Sequence, residues 1–193
     1  MEPIVQVMEL FRHQRAVRTF RDEPISDEVL HAVLEAATHA PSGSNTQPWR
    51  FLVVRDTAVK AELSFEYEQA QATRAGRPVP TREQAGEGII ARAPVVVVPC
   101  VTVPGRTGQA GFQTGASIYP ACQNLMLAAR VLGLGSVLTT THRIRRAEIH
   151  ALLGIPATYE SAALIPLGWP DRAYGPNRRG PVESVVCFGH WSE

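Results

Sequence analysis

With 193 residues, 45% of them apolar and 19% charged, the chain suits one ordinary globular domain with enough length for a core. A formal charge of +1 gives no general reason for a nucleic-acid or membrane partner, and the longest apolar run, residues 93–103, is broken by prolines and too short to span a bilayer. Cys100, Cys122 and Cys187 lie far apart without a CxxC, no positive-then-apolar leader opens the chain, and a reducing cytoplasm is the expected compartment.

Ile4, Met8 and Phe11 recur at helical spacing and predict a helix over 3–13. A second helix starts at Ser26, a good N-cap, with Asp27 and Glu28 suiting its dipole, and Pro41 stops it. Its buried face is Leu30, Val33, Leu34 and Ala37. Residues 51–54 read as a buried strand and 57–73 as a polar helix. Residues 75–88, with three glycines, two prolines and no apolar period, read as a mobile surface excursion. Pro94 to Val101 has the continuous apolar run of a central strand covered on both faces. Residues 113–133 form a long helix, apolar over more than one face, with Pro120 as a kink or late start. Such a helix needs cover on all sides, and in a short chain a second subunit can supply part of it. A short strand through Val137 and Leu138 follows, then a small helix from Arg145 to Leu153, a core strand from Ala162 to Leu167 and an edge strand within 181–191. There is no internal repeat.

Two segments stand out chemically. Arg15-Ala16-Val17-Arg18-Thr19-Phe20 carries two guanidinium groups, whose paired donors match the oxygens of a phosphate. Spacing alone favours two solvated arginines near a helix end. Ala40-Pro41-Ser42-Gly43-Ser44-Asn45-Thr46-Gln47-Pro48-Trp49 places a side-chain-free Gly43 where a flat ring could approach the backbone, beside Asn45 and Gln47, each with a donor and an acceptor. As a plain turn this stretch would be ordinary, and a tryptophan opening a strand is usually core. The combination suits a planar cofactor carrying a phosphate, such as a flavin. Arg178 and Arg179, before Gly180-Pro181, are a third candidate anion site or an exposed basic pair. Arg143, Arg145 and Arg146 read as a solvent-facing cluster without a role. Six histidines lack paired metal spacing, and Gly133-Leu134-Gly135 lacks the strand and third glycine of a dinucleotide fingerprint.

These residues resemble the FMN-dependent nitroreductase family. The opening R-[SA]-V-R-x-F and the later A-P-[ST]-x-x-N-x-Q-P-W-x-F are both present, at Arg15–Phe20 and Ala40–Phe51. Gln123–Ala129, Gly133–Ser136, Leu153–Pro156, Gly168–Pro170 and Arg178–Glu183 are similar to its later signatures. The resemblance runs from about residue 9 to 191. It implies an α+β fold over residues 1–193, a mixed sheet covered by helices in three α/β/α layers, and an intertwined homodimer with two FMN sites at its interface. Carried over residue by residue, it implies that Arg15, Ala16 and Arg18 lie along the cofactor's phosphate and ribityl side, joined by Arg179. It further implies that Ser42, Gly43 and Asn45 run along the isoalloxazine and that Gln47 enters the partner subunit's site. Leu138 and Thr139 occupy the stretch that passes near flavin N5. Gln14 replaces a frequent arginine and Ala16 a common serine, removing two phosphate contacts. The implied activity is ping-pong hydride transfer from NAD(P)H to a small electron-poor acceptor such as a nitroaromatic, quinone or enone, with no catalytic side chain and no metal. Dehydrogenation of a small peptide or heterocycle, reductive dehalogenation, and a non-catalytic flavin carrier or sensor are the alternatives on the same scaffold.

Overall fold

The computed structural model describes residues 3–103 and 112–191. Helix α1 spans Pro3–His13 and α2 Asp27–Thr38. The α2 N-cap is Ser26, whose hydroxyl accepts from Val29 N at 3.3 Å, as its sequence position predicts. Strand β1 is Trp49–Val54 and α3 is Thr57–Ala75, capped by Asp56 at its start and by left-handed Gly76 at its end. Two short helices follow, α4 Arg82–Gly86 and α5 Ile89–Arg92, then β2 Val95–Thr102 and the long α6 Phe112–Val131, which runs through Pro120. Strand β3 is Gly135–Ser136, α7 Arg146–Leu153, β4 Tyr159–Ser161 and β5 Ile165–Gly168.

The sheet is built on β2. Strand β1 pairs along one side of it, in register from Trp49 opposite Val101 to Val54 opposite Val96. Strands β4 and β5 share the other side, at Cys100–Thr102 and Val95–Val97 respectively, and β3 adds beyond β5. Every ladder is antiparallel; the parallel element is the isolated bridge from Ala16 to Ser136. Because side chains alternate along a strand, β2 feeds two cores. Val95, Val97 and Val101 pack with α2 and α6, whereas Val96, Val98 and Cys100 pack with α3, α5 and Ile149 of α7. Helices on both faces of one sheet make three layers, with β2 dry on each side as its apolar run predicts.

Several expectations are corrected. Within the stretch read as a surface excursion, 75–88, Thr81 and Gln84 form a reciprocal capping box, α4 buries Ala85, and Ser64 Oγ donates to Ala85 O at 2.6 Å. The strand placed at Val137–Leu138 lies at Gly135–Ser136, and the one placed at 162–167 is β5, Ile165–Gly168, with β4 at Tyr159–Ser161 a separate strand before it. The tail forms a single 3-10 turn at Val182–Val185 rather than an edge strand; among the described residues it pairs with no strand of the sheet, and its alternating side chains remain exposed. Arg145 and Arg146 do not simply face solvent. Arg145 pairs with Glu66 and Glu148, and Arg146 Nε reaches both oxygens of the buried Glu160 at 2.7–2.8 Å.

Beside that pair sits a buried polar knot. The Ser161 hydroxyl bridges His150 Nε2 at 2.9 Å and His142 Nε2 at 3.0 Å. Ser161 N donates to His150 Nε2 at 3.4 Å, so that nitrogen is an acceptor, the hydroxyl donates to it as well, and His142 Nε2–H donates to the hydroxyl. His142 Nδ1 is then a buried acceptor without a partner among the described residues. Burial drives the His142 pKa down to about 4, the Arg143 charge assisting.

Candidate functional site

The arginine segment is held by close packing on the sheet edge. Val17 N donates to Ser136 O at 2.9 Å, and a Cβ at Gly135 would lie 2.6 Å from Val17 Cγ1. A Cβ at Gly168 would meet Phe20 Cδ1 at 2.8 Å and Pro94 Cδ at 2.7 Å. These two glycines let Val17 and Phe20 sink into the core, which turns Arg15 and Arg18 outward.

The same segment is zipped to the C-terminal stretch. Arg21 N donates to Trp169 O at 2.8 Å, and Thr19 Oγ1 donates to Asp171 Oδ1 at 2.8 Å and contacts Tyr174 Oη at 2.8 Å. Arg15 Nη1 donates to Gly175 O at 3.3 Å, its guanidinium lying 5.7 Å from the Tyr174 ring centroid. Asn177 closes the zipper on the last turn of α1. Arg179 thereby shares a cleft of about 390 Å³ with Gln14 and Gln123, while Gln14 also lines the small hollow beside Arg15, Arg130 and Ser136. Arg15 and Arg179 are thus brought to either side of Gln14, from positions 164 residues apart in sequence. Ala16 stands exposed between them and the sheet edge, bridged to Ser136.

Arg18 opens onto a different wall, a cleft of about 280 Å³ between α3 and the stretch after β3, lined by Leu138 and Thr139 with Tyr67, Glu68, Gln71 and Arg74. Tyr67 Oη and Thr139 Oγ1 are 2.9 Å apart, Gln71 Nε2 donates to Tyr67 Oη at 2.9 Å, and Arg74 Nη1 donates to Thr141 Oγ1 at 3.2 Å. Burial raises the Tyr67 pKa, with the Thr139 contact and the Arg18 and Arg74 charges opposing it. Burial likewise raises the Glu68 carboxyl, the Arg77 charge opposing it. Among the described residues, neither Arg15, Arg18 nor Arg179 forms an ion pair with a carboxylate. Arg15 and Arg179 on either side of Gln14, and Arg18 at its own cleft, are guanidinium groups left without carboxylate partners among the described residues and thus receptive to anions.

The loop predicted to complete the site is elsewhere. Gly43 and Asn45 lie in a 3-10 turn capped by Ser42 and followed by Gln47, over another cleft, of about 460 Å³, lined by Gly43, Gln47, Arg50, Ser117 and Tyr159. It shares no lining residue with the Arg18 cleft. Ser42 Oγ accepts from Gln47 N at 3.0 Å, and Gly43 N donates to Ser117 Oγ at 3.4 Å. Ser44, Asn45 and Gln47 all adopt positive φ, at 50°, 54° and 46°. A Cβ at Gly43 would meet nothing within 4 Å, so packing within the chain does not require glycine there. Trp49 beyond it is core, 5% exposed.

Sequence reasoning missed Tyr67, Gln71 and Arg74. Their spacing of four and three residues puts them on one face of α3, a period visible in the sequence yet masked because the helix is polar all round.

The chain is 31% identical over 204 residues to the NADH dehydrogenase of Thermus thermophilus, covering 96% of this chain and 97% of that protein. Its fold superposes on oxidized iodotyrosine deiodinase bound to FMN and 3-iodo-L-tyrosine with a TM-score of 0.80 at 26% identity, over 96% of this chain and 100% of that one. It also superposes on nitroreductase A of Vibrio parahaemolyticus, with a TM-score of 0.80 at 22% identity over 96% and 76%, a likeness of fold. The model of the Nitroreductase family matches residues 11–169, and the chain belongs to that family.

Proposed function

We propose that the protein is an FMN-dependent oxidoreductase that passes hydride from NAD(P)H to a small electron-poor acceptor such as a nitroaromatic or quinone. The observation that carries this reading is that Arg15, Arg18 and Arg179 have no carboxylate partners among the described residues, Arg18 opening on a polar cleft walled by Tyr67, Gln71, Arg74 and Thr139. Likeness to an FMN-bound flavoprotein and to a relative named NADH dehydrogenase supports it.

Flavin chemistry supplies hydride acceptance and donation whenever FMN is bound. The chain's share is binding and orientation. Arg15 and Arg179 hold the phosphate. Arg18 and the donors of α3 and of the 139–141 stretch hold the polar edge of the ring. Ile89, Val137 and Leu138 supply an apolar wall in the same cleft. The bare Gly43 leaves room for a ring against the backbone of the other half-site.

Two copies complete the site in this reading. The Arg18 cleft and the 42–47 loop do not meet within one chain, so the loop serves the same cleft of a second copy. Apolar surface for that pairing is present: Ile4, Val7, Met8 and Phe11 of α1, Val131 of α6, and Val185, Phe188 and Trp191 of the tail are all exposed. No helix among the described residues is long and apolar enough to cross a membrane.

Anaerobic addition of NADPH or NADH to the FMN-loaded protein tests the proposal. Rapid bleaching of the flavin absorbance, restored by a nitroaromatic or quinone, is expected; no bleaching with either nucleotide would overturn it. The deiodinase likeness supports a second reading, reductive dehalogenation. Iodide release from 3-iodotyrosine, without turnover of nitroaromatics, would favour it.

A further inference from the structure

We propose that Asn177 is a positioning residue for the cofactor phosphate: it clamps the C-terminal segment onto the end of α1 and so fixes Arg179 beside Gln14. This rests on the FMN reading given above.

A helix ends with carbonyls that have no partner inside it. In α1 these are met from 163 to 166 residues away in sequence. Asn177 N donates to Arg12 O at 2.7 Å, Asn177 Nδ2 donates to Phe11 O at 2.8 Å, and the same amide nitrogen donates to Gln14 O at 3.2 Å. Only an amide or a cation can donate to two carbonyls at once from this place, and asparagine does so without adding charge. The next bonds along the chain are local, Arg179 Nη1 to Arg178 O at 2.8 Å and Ser184 Oγ to Pro181 O at 2.7 Å. Arg179 itself is exposed, and no bond to another part of the chain holds its side chain among the described residues. Its place in the cleft with Gln14 and Gln123 is therefore set by the residue two positions before it.

The energetic consequence follows from pre-organisation. An arginine on an untethered segment must lose backbone freedom when it closes on an anion, and that loss is subtracted from the affinity. The Asn177 clamp removes the loss in advance. Gln14, the cleft's neutral neighbour, contributes no charge of its own, so the phosphate depends more heavily on Arg179 being in place.

The test compares FMN with riboflavin, which lacks the phosphate, by quenching of flavin fluorescence on the full chain. Asn177→Ala should weaken FMN about tenfold and leave riboflavin unchanged. Asn177→Ser, keeping one donor, should fall between. Arg179→Gln should lose the same discrimination, and the double variant should bind FMN no more weakly than Arg179→Gln alone. Riboflavin binding reports that each variant is folded. Equal weakening of both flavins by Asn177→Ala, no weakening of FMN, or losses that multiply in the double variant would each overturn the proposal. A wild-type protein that binds FMN no better than riboflavin would instead remove the phosphate reading beneath it.

Discussion

Two residues carry opposite electrostatic demands. Arg18 faces the polar cleft with no carboxylate paired to it among the described residues, and it lies near enough to Tyr67 to act on its ionisation. Replacing it with leucine removes a charge-assisted contact worth about 1.5–3 kcal/mol. Arg18→Leu should therefore loosen FMN roughly tenfold or more, or lower its reduction potential, as read by titration and spectroelectrochemistry; unchanged values for both would remove its role. His142, by contrast, is buried where charge is refused. Its pKa falls from 6.5 to about 4 because burial penalises the imidazolium. Between those values the unfolded chain takes up a proton that the folded chain does not, so stability decreases as pH drops through the window and levels off below it. The loss is on the order of 3 kcal/mol. Urea titrations at pH 7 and pH 4.5 should show it, and His142→Gln should flatten the difference.

Among the elements, the decisive contact is the passage of residues 16–20 along β3 and β5. A methyl group at Gly135 would collide with Val17 at 2.6 Å, against side-chain atoms already sunk in the core. Gly135→Ala should cost about 1–3 kcal/mol in denaturant midpoint and should also weaken flavin binding, because the shift propagates to Arg15 and Arg18. A neutral Gly135→Ala would mean that Val17 repacks freely. Elements whose burial follows from their own residues were readable in advance. The valine run of β2, the Ser26 cap and the apolar face of α2 are of this kind. Elements defined by a distant partner were not. Alternation in 181–191 resembles a strand, yet a strand exists only through pairing, and among the described residues this segment pairs with none of β1 to β5. The division of β4 from β5 follows from where β2 accepts pairing, and Arg146 became structural only because Glu160 is buried beside it. At the candidate site, Arg15, Arg18 and Arg179 were legible as residue types, while the Tyr67–Gln71–Arg74 wall depends on how α3 packs against the stretch after β3.

On the scale of the whole molecule, the proposed pairing of the Arg18 cleft with the 42–47 loop of a second copy predicts complementation. An Arg18→Leu chain and an Asn45→Ala chain should each bind FMN weakly as homodimers. Co-expressed, they should form mixed dimers in which one of the two sites is intact. Flavin content near half of the wild-type level per mixed dimer is expected; content no higher than in either parent would mean that each chain builds its own site. Removal of residues 182–193 deletes Val185, Phe188 and Trp191 from the exposed apolar surface. If the proposed dimer uses this surface, sedimentation should then show it dissociating already at higher concentration, with flavin lost in parallel.

The backbone at Ser44, Asn45 and Gln47 has a practical corollary for anyone selecting heat-resistant variants of this protein. Left-handed geometry costs an ordinary side chain roughly 1–2 kcal/mol, and glycine escapes most of that. Random mutagenesis screened only for survival at high temperature should accumulate glycine at Ser44 and Gln47 early, because nothing in the isolated chain opposes it. On the proposed role of this loop, those survivors should turn over substrate more slowly than their parent, a durability gained by slackening a bend that would hold the ring.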